Sequence, residues 1–148
     1  MKTVNTYEYI SLLRELTEQG KEVNVRISGS SMSPFLKNQR DIIVFKKPER
    51  ELRKGDMVFY QRVTGQYVMH RIWKVNSKGF YIVGDAQTDI EGPVKQEQIF
   101  AIVTKVQRDG KWIEAGDFWW EFFEHVWIRM VPFRKLIFKI YSMIKGKL

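Results

Sequence analysis

The chain contains no cysteine and only two histidines, and these scarcities exclude several kinds of site. Without cysteine there is no disulfide, no thiolate metal site and no cysteine nucleophile. Because His70 and His125 are the only histidines, a histidine-rich metal centre is excluded too, and we expect no cofactor. No run approaches the roughly 18 uninterrupted apolar residues of a membrane span, and residues 1–8 lack the apolar segment of a signal peptide. We therefore expect a protein that is cytoplasmic or peripherally associated with a membrane.

The composition is that of a globular protein with an excess of positive charge. With 148 residues, 44% of them hydrophobic and 28% charged, the chain can form one domain with a substantial core. Its 25 basic and 17 acidic residues give a net charge of +8, which favours an anionic partner such as nucleic acid or a lipid surface. Basic residues are mixed with acidic ones in loops such as residues 46–50, and this pattern argues against nucleic acid.

The order of the predicted elements indicates a mainly β fold. Residues 6–19 have the period of a helix that ends at Gly20, with Ile10, Leu13 and Leu16 on its buried side. Short strand-like runs follow, separated by turns that contain Gly or Asp: residues 22–27, 41–45, 57–61, 67–76, 79–83, 99–107 and 111–113. We expect these strands to be antiparallel and to form a small, partly closed barrel.

The last part of the chain has a different character, so we divide the sequence into residues 1–116 and a tail, residues 117–148. The tail begins with a cluster of aromatic residues and continues as an amphipathic helix over residues 133–145. One side of the helical wheel carries Phe133, Leu136, Ile137, Ile140, Tyr141 and Ile144, and the other carries Arg134, Lys135, Lys139 and Lys145. Two interpretations stay open: a helix docked on the β domain, or an anionic membrane surface bound through the segment from Phe118 to Leu148.

A polar turn at the end of the first strand is a candidate nucleophile site. Gly29-Ser30-Ser31-Met32-Ser33-Pro34 follows the alternating residues Val23, Val25 and Ile27. Such a turn lifts a hydroxyl out of the sheet and leaves backbone N–H groups beside it, as a serine nucleophile requires. Taken alone, the same residues are also typical of an ordinary loop.

A serine hydroxyl needs a base, and the predicted strands supply candidates for a base and an acid. His70 lies within the strand of residues 67–76, and an imidazole is suited to general-base work at neutral pH. Asp85 follows the strand of residues 79–83 directly, and Asp89 follows four residues later. A carboxylate there would orient His70 through its Nδ1–H. The alternatives are a hydrogen-bonded structural histidine and a turn aspartate.

Four motifs in order resemble those of the signal peptidase I and LexA-type serine peptidase superfamily. They are Gly29-Ser30-Ser31-Met32-Ser33-Pro34, Arg53-Lys54-Gly55-Asp56-Met57-Val58, Met69-His70-Arg71-Ile72 and Val83-Gly84-Asp85-Ala86. The resemblance implies a mainly β fold and a serine endopeptidase that cuts a signal- or leader-like peptide or precursor. It assigns the nucleophile to Ser31, because the serine before methionine has this role in the family.

The resemblance also implies roles for the other site residues. Many members of the superfamily use a lysine as base, but the equivalent position here is His70, as in the endoplasmic-reticulum and archaeal branch. Asp85 would then be the orienting acid, with Asp89 as the alternative. Since Gly29 offers no side-chain hydroxyl, the oxyanion hole would consist of backbone N–H groups, that of Ser31 first.

A second functional hypothesis comes from a different class of protein. The chain could be a catalytically inactive or regulatory binding module of the same fold that contacts nucleic acid or a membrane surface. An active enzyme with His70 as base should gain activity with rising pH, around pH 6 to 7 if the pKa of the histidine has its usual value.

Overall fold

The computed structural model of the protein describes residues 6–145. Residues 1–5 and 146–148 lie outside it, and the expectation about a signal peptide, made on residues 1–8, therefore falls largely outside the described residues. The helices are α1 (Thr6–Glu18), α2 (Phe118–Glu121) and α3 (Arg134–Lys145). The strands are β1 (Val23–Arg26), β2 (Ile42–Lys46), β3 (Met57–Gln61), β4 (Tyr67–Asn76), β5 (Gly79–Val83), β6 (Glu91–Val94), β7 (Ile99–Arg108) and β8 (Lys111–Glu114).

All eight strands belong to one antiparallel sheet, and the predicted mainly β fold is confirmed. The strand order is β1-β2-β7-β3-β4-β5-β6, with β8 paired to β7. The sheet is not closed, so the expected partial barrel takes the form of an open sheet. The bounds of β3, β4 and β5 agree with the sequence prediction to the residue, whereas β6 is an additional strand.

The alternation of side chains along β3 shows how the sheet builds a core on both of its faces. Met57 and Phe59 belong to one apolar cluster, while Val58 and Tyr60 belong to another. Successive side chains of a strand point to opposite faces, so a strand that is apolar throughout must be covered on both sides. α1 contributes to the first cover through Leu13. The helix ends at Glu18, and Gly20, which has a φ of +80°, turns the chain away from it.

The aromatic segment after β8 packs into the same core. Trp120, Phe123 and Trp127 are buried in the cluster that also holds Leu13, and Ile128 packs with Val83. α2, a π-helical turn (Phe122–Val126) and a 3-10 segment (Trp127–Phe133) carry these residues. The tail up to the start of α3 is therefore docked on the β domain, which is the first of the two interpretations. Within residues 6–145, no helix is long and apolar enough to cross a membrane.

Arg134 corrects one expectation of the helical wheel. We placed it on the polar, solvent-facing side of the last helix, but the structure buries it completely. Its guanidinium donates to the carbonyl oxygens of Gly84 and Gln87, both at 2.9 Å, and to that of Trp127 at 3.1 Å. A guanidinium has several donors and can bind several backbone carbonyls at once, and this explains its position.

Replacing Arg134 by methionine should destabilise the fold. Arg134→Met removes three hydrogen bonds from a buried guanidinium to backbone carbonyls, and we expect the free energy of unfolding to fall by about 2 to 4 kcal/mol. Lys135→Met is the matched control, since Lys135 is the exposed neighbour in the same helix. Urea unfolding followed by circular dichroism measures both. Equal stability of the two variants would contradict the role given to Arg134.

Candidate active site

The Ser31 turn is held from both sides by the chain around it. The Gly29 N–H donates to the side-chain oxygen of Asn38 at 2.8 Å, and the Ile27 N–H donates to the Asp41 carbonyl at 2.8 Å. Gly29 has a φ of +102°, a backbone conformation that L side chains rarely adopt. Glycine is therefore required here for its backbone, although the space beside it is open.

The loop after β5 contacts this turn directly. The Ala86 N–H donates to the Ser31 carbonyl at 2.8 Å. A Cβ on Gly84 would lie 2.6 Å from the same carbonyl oxygen, so a larger residue would push the two loops apart. The backbone of the Gly84-Asp85-Ala86 motif thus contacts the Ser31 turn and fixes its distance from the loop after β5.

One groove brings Ser31 and His70 together. It has a volume of about 760 Å³ and contains both residues in its lining. Its other walls are the end of β1, residues 67–69 of β4, and Tyr9 and Ile10 of α1. Across residues 6–145 no hydrogen bond joins the Ser31 hydroxyl to the imidazole. Catalytic hydrogen bonds are often long in a free enzyme and shorten in the substrate complex.

His70 is buried in the middle of β4, with only 5% of its surface exposed. It pairs with Val58 of β3, and the Tyr60 ring lies edge-on to the imidazole with the ring centres 6.3 Å apart. Burial lowers the pKa of His70 to about 4, while the nearby Glu91 carboxylate acts in the opposite direction. Its Nδ1 atom is buried and has no hydrogen-bond partner in the described structure.

The Asp85 carboxylate binds Arg71 and does not bind His70. The two carboxylate oxygens of Asp85 accept from Arg71 at 2.9 and 3.0 Å, and both side chains are buried. The third bond of the guanidinium goes to the Gly55 carbonyl at 2.9 Å. The expected bond from Nδ1 of His70 to Asp85 is not formed, since Nδ1 has no hydrogen-bond partner within the described residues.

Asp89, the alternative acid, is exposed and lines a second cavity together with His70. Among the residues that the structure describes, it makes no hydrogen bond or ion pair. It lies near enough to share a cavity wall with the histidine, but nothing holds its carboxylate in place. Its role as orienting acid therefore stays a prediction.

Glu91, which the sequence analysis does not single out, is the carboxylate whose charge raises the pKa of His70. It stands at the start of β6 and accepts from Arg62 at 2.6 Å and from the Tyr60 hydroxyl at 2.7 Å. Burial opposes its ionisation, but the hydrogen bonds from Arg62 and Tyr60 keep the pKa of Glu91 below its usual value. The sequence pattern does not predict the strand that carries Glu91, because Gly92 and Pro93 are residues typical of turns.

Residues 1–107 match the family model described as Peptidase S24-like. The chain belongs to this family. Comparisons with curated proteins and with solved structures give no match. The resemblance to the LexA and signal peptidase superfamily is thereby confirmed, and it supports a serine peptidase-type fold. The endoplasmic-reticulum and archaeal branch stays a prediction.

The motif with Gly55 has a structural role in this S24-like chain. The Asp56 carboxylate accepts from two nitrogens of Arg50, at 2.8 and 2.9 Å, and from the Arg53 N–H at 2.9 Å. Gly55 has a φ of +97°, and a Cβ there would lie 2.6 Å from the Glu124 carbonyl oxygen. The turn therefore presents the Gly55 carbonyl to Arg71 and joins the β2–β3 connection to the site.

One group of side chains has the composition of a metal site. Ligand atoms of Glu121, Glu124 and His125 lie within 4.8 Å of one another. His125 is exposed and contacts Glu121 at 3.0 Å, as an ordinary surface ion pair would when the histidine is protonated. None of the three residues lines the groove of Ser31 and His70, so no metal is assigned to the S24-like site.

Asp85→Asn should reveal a structural role for this carboxylate. The change leaves the buried Arg71 guanidinium without its counter-charge, and we expect a loss of about 3 kcal/mol in the free energy of unfolding. Asp89→Asn serves as the matched control and should stay within about 0.5 kcal/mol of the parent. Thermal and urea unfolding measure both. An Asp85→Asn variant as stable as the parent would contradict this assignment.

Proposed function

We propose that the protein is a serine endopeptidase in which Ser31 attacks the peptide and His70 takes the proton of its hydroxyl. The observation that carries the proposal is that Ser31 and His70 line the same groove. The chain belongs to a peptidase family, and a serine beside a possible base is what a serine peptidase requires. Because Nδ1 of His70 is buried, Nε2 is the ring nitrogen available to the serine hydroxyl. The Ser31 oxygen would bond to the carbonyl carbon, and His70 would give the serine proton to the leaving amine as the peptide C–N bond breaks and the acyl-enzyme forms. Water would then attack the ester, His70 would take a proton from it, and that proton would return to the Ser31 oxygen as the acyl product leaves.

The substrate would be an extended peptide within a signal- or leader-like precursor. β1 stands at one end of the sheet order, so its free edge can accept backbone hydrogen bonds from an added strand. The groove that begins at β1 is lined by apolar residues such as Ile10, Val25 and Met69. The oxyanion would be received by the Ser31 N–H, which has no acceptor within the described residues.

In the proposed mechanism the carboxylate that assists His70 is Glu91, whose negative charge favours the protonated imidazole. When His70 accepts a proton, the imidazolium needs a counter-charge in its buried surroundings. Glu91 raises the pKa of His70, whereas Arg62 lowers it. In this scheme Glu91 acts through His70 and is a positioning residue. Asp85 binds Arg71, and this ion pair anchors the loop whose Ala86 N–H donates to the Ser31 carbonyl. Asp89 is the competing candidate, since it shares a cavity with His70.

The inactive binding module is the second candidate function. The observation in its favour is the buried Nδ1 of His70, which lacks the carboxylate partner that a conventional triad supplies. A chain of this type would retain the groove as a peptide-binding site without activating Ser31. Covalent labelling of the serine separates the two functions.

Ser31→Ala should abolish peptide hydrolysis and labelling by a serine-directed fluorophosphonate. Loss of a nucleophile lowers kcat by several orders of magnitude, about 10⁴-fold or more. Ser30→Ala and Ser33→Ala are the matched controls from the same turn and should keep most of the activity. Mass spectrometry of the labelled parent should locate the adduct on Ser31. A parent protein that takes no label and cuts no peptide would support the binding module instead.

The activity should persist at lower pH than an ordinary histidine base allows. The base must be neutral, so kcat/KM falls as pH drops through the pKa of His70 in the free enzyme. Since burial lowers this pKa to about 4, we expect the acid limb well below the usual 6.5. This replaces the range of 6 to 7 expected from sequence.

Glu91→Gln tests which carboxylate acts on His70. Removing the charge that raises the histidine pKa should move the acid limb of kcat/KM to still lower pH and reduce kcat. Asp89→Asn is the control and should leave the limb in place. Folding must be checked at each pH, because His70 binds its proton more readily in the unfolded chain, and stability falls between about pH 6.5 and 4. A limb moved only by Asp89→Asn would reverse the assignment.

A further inference from the structure

α3 is attached to the rest of the protein only at its beginning. Arg134 is buried, and Ile137 and Phe138 are partly buried against the main apolar cluster. The Phe138 ring lies 5.9 Å from that of Trp127, measured between centres. Every residue from 139 to 145 is exposed. The second half of the helix therefore projects from the body of the protein.

The projecting helix carries an uncovered apolar stripe. Leu136, Ile140, Met143 and Ile144 recur at the spacing that places them on one side of a helix. Each of them is about half exposed, Leu136 at 58% and Ile144 at 57%. Phe133, just before the helix, is exposed to a similar degree. So many large apolar groups on one side of a short helix indicate a surface that is covered in function.

The charge around this stripe has a single sign. No acidic residue occurs between Val126 and the end of the chain, whereas six basic residues do. One of the six, Arg134, is buried and bound to carbonyls. Lys135 and Lys139 are exposed along one edge of the stripe, and Lys145 is exposed at the end of α3. The surface thus combines apolar side chains with uncompensated positive charge.

We propose that α3 binds an anionic lipid surface, with its apolar stripe among the acyl chains and its lysines at the headgroup phosphates. Apolar burial and attraction between lysines and anionic headgroups then act together. A second copy that packed through its own α3 fits this surface poorly, since that helix would bring the same lysines and no carboxylate to pair with them. The helix has 12 residues, a length of about 18 Å, and therefore lies in the interface without crossing it.

Vesicle binding by the full chain tests the proposal. We expect the protein to sediment with phosphatidylcholine vesicles that contain phosphatidylserine, and to bind much more weakly to phosphatidylcholine alone. Binding should weaken as salt is added, because the attraction of the lysines is screened. A full chain that stays in the supernatant with anionic vesicles at low salt would overturn the proposal.

Two double variants separate the apolar part from the charged part. Leu136→Gln with Ile140→Gln should reduce the partition coefficient by at least about tenfold. Lys135→Gln with Lys139→Gln should reduce it by about fivefold per lysine at low salt and by little at high salt. Substitutions are preferable to deleting the helix, because a deletion would also remove Arg134 and its structural bonds.

Matched controls use exposed residues elsewhere on the protein. Val63→Gln changes an apolar residue that is 95% exposed, and Lys78→Gln with Lys111→Gln removes two exposed charges, one from the β4–β5 turn and one from the start of β8. These variants should bind vesicles as the parent does, and all variants should keep the parent's melting temperature. An equal loss of binding in the controls would overturn the assignment to α3. So would a dimer, detected by sedimentation velocity, that Leu136→Gln with Ile140→Gln dissociates while vesicle binding is unaffected.

Discussion

The buried ion pair between Arg71 and Asp85 is the interaction on which the rest of the site depends. It joins the middle of β4 to the loop after β5, and the same guanidinium holds the Gly55 carbonyl. That loop binds the Ser31 carbonyl through the Ala86 N–H. Because His70 is the residue next to Arg71 on β4, one strand carries both the candidate base and the anchor of the loop that positions the candidate nucleophile.

The C-terminal segment belongs to this arrangement even though the family match ends at residue 107. The Trp127 indole N–H donates to the Asp85 carbonyl at 2.9 Å, and Arg134 donates to the carbonyls of Gly84 and Gln87. Three carbonyls of the β5–β6 loop are thus bound by side chains outside the matched region. Burying such carbonyls without donors would be unfavourable, so the aromatic segment is part of the support of the site.

The sequence predicted the strands well where the apolar pattern was local. In β3 the alternation of Met57 and Phe59 with Val58 and Tyr60 defines the strand. Ser31 and His70, which the motifs singled out, line one groove. The pairing of Arg71 with Asp85 could not be derived in this way, because it depends on the register between two strands. Arg134 was misplaced for a related reason. A helical wheel contains no information about the backbone carbonyls that a neighbouring loop presents to the helix.

Glu91 shows the limit of assigning a catalytic acid from a motif. The Gly-Asp motif directed attention to Asp85, but both oxygens of this carboxylate accept from the buried Arg71 guanidinium, and neither accepts from His70. Glu91 also has a cationic partner, Arg62, yet its bonds leave it electrostatically coupled to His70. In the proposed mechanism the histidine is neutral at physiological pH because it is buried. The free energy of its protonation then depends on the balance between Glu91 and Arg62, so that moving Arg62 away from the pair would strengthen the base.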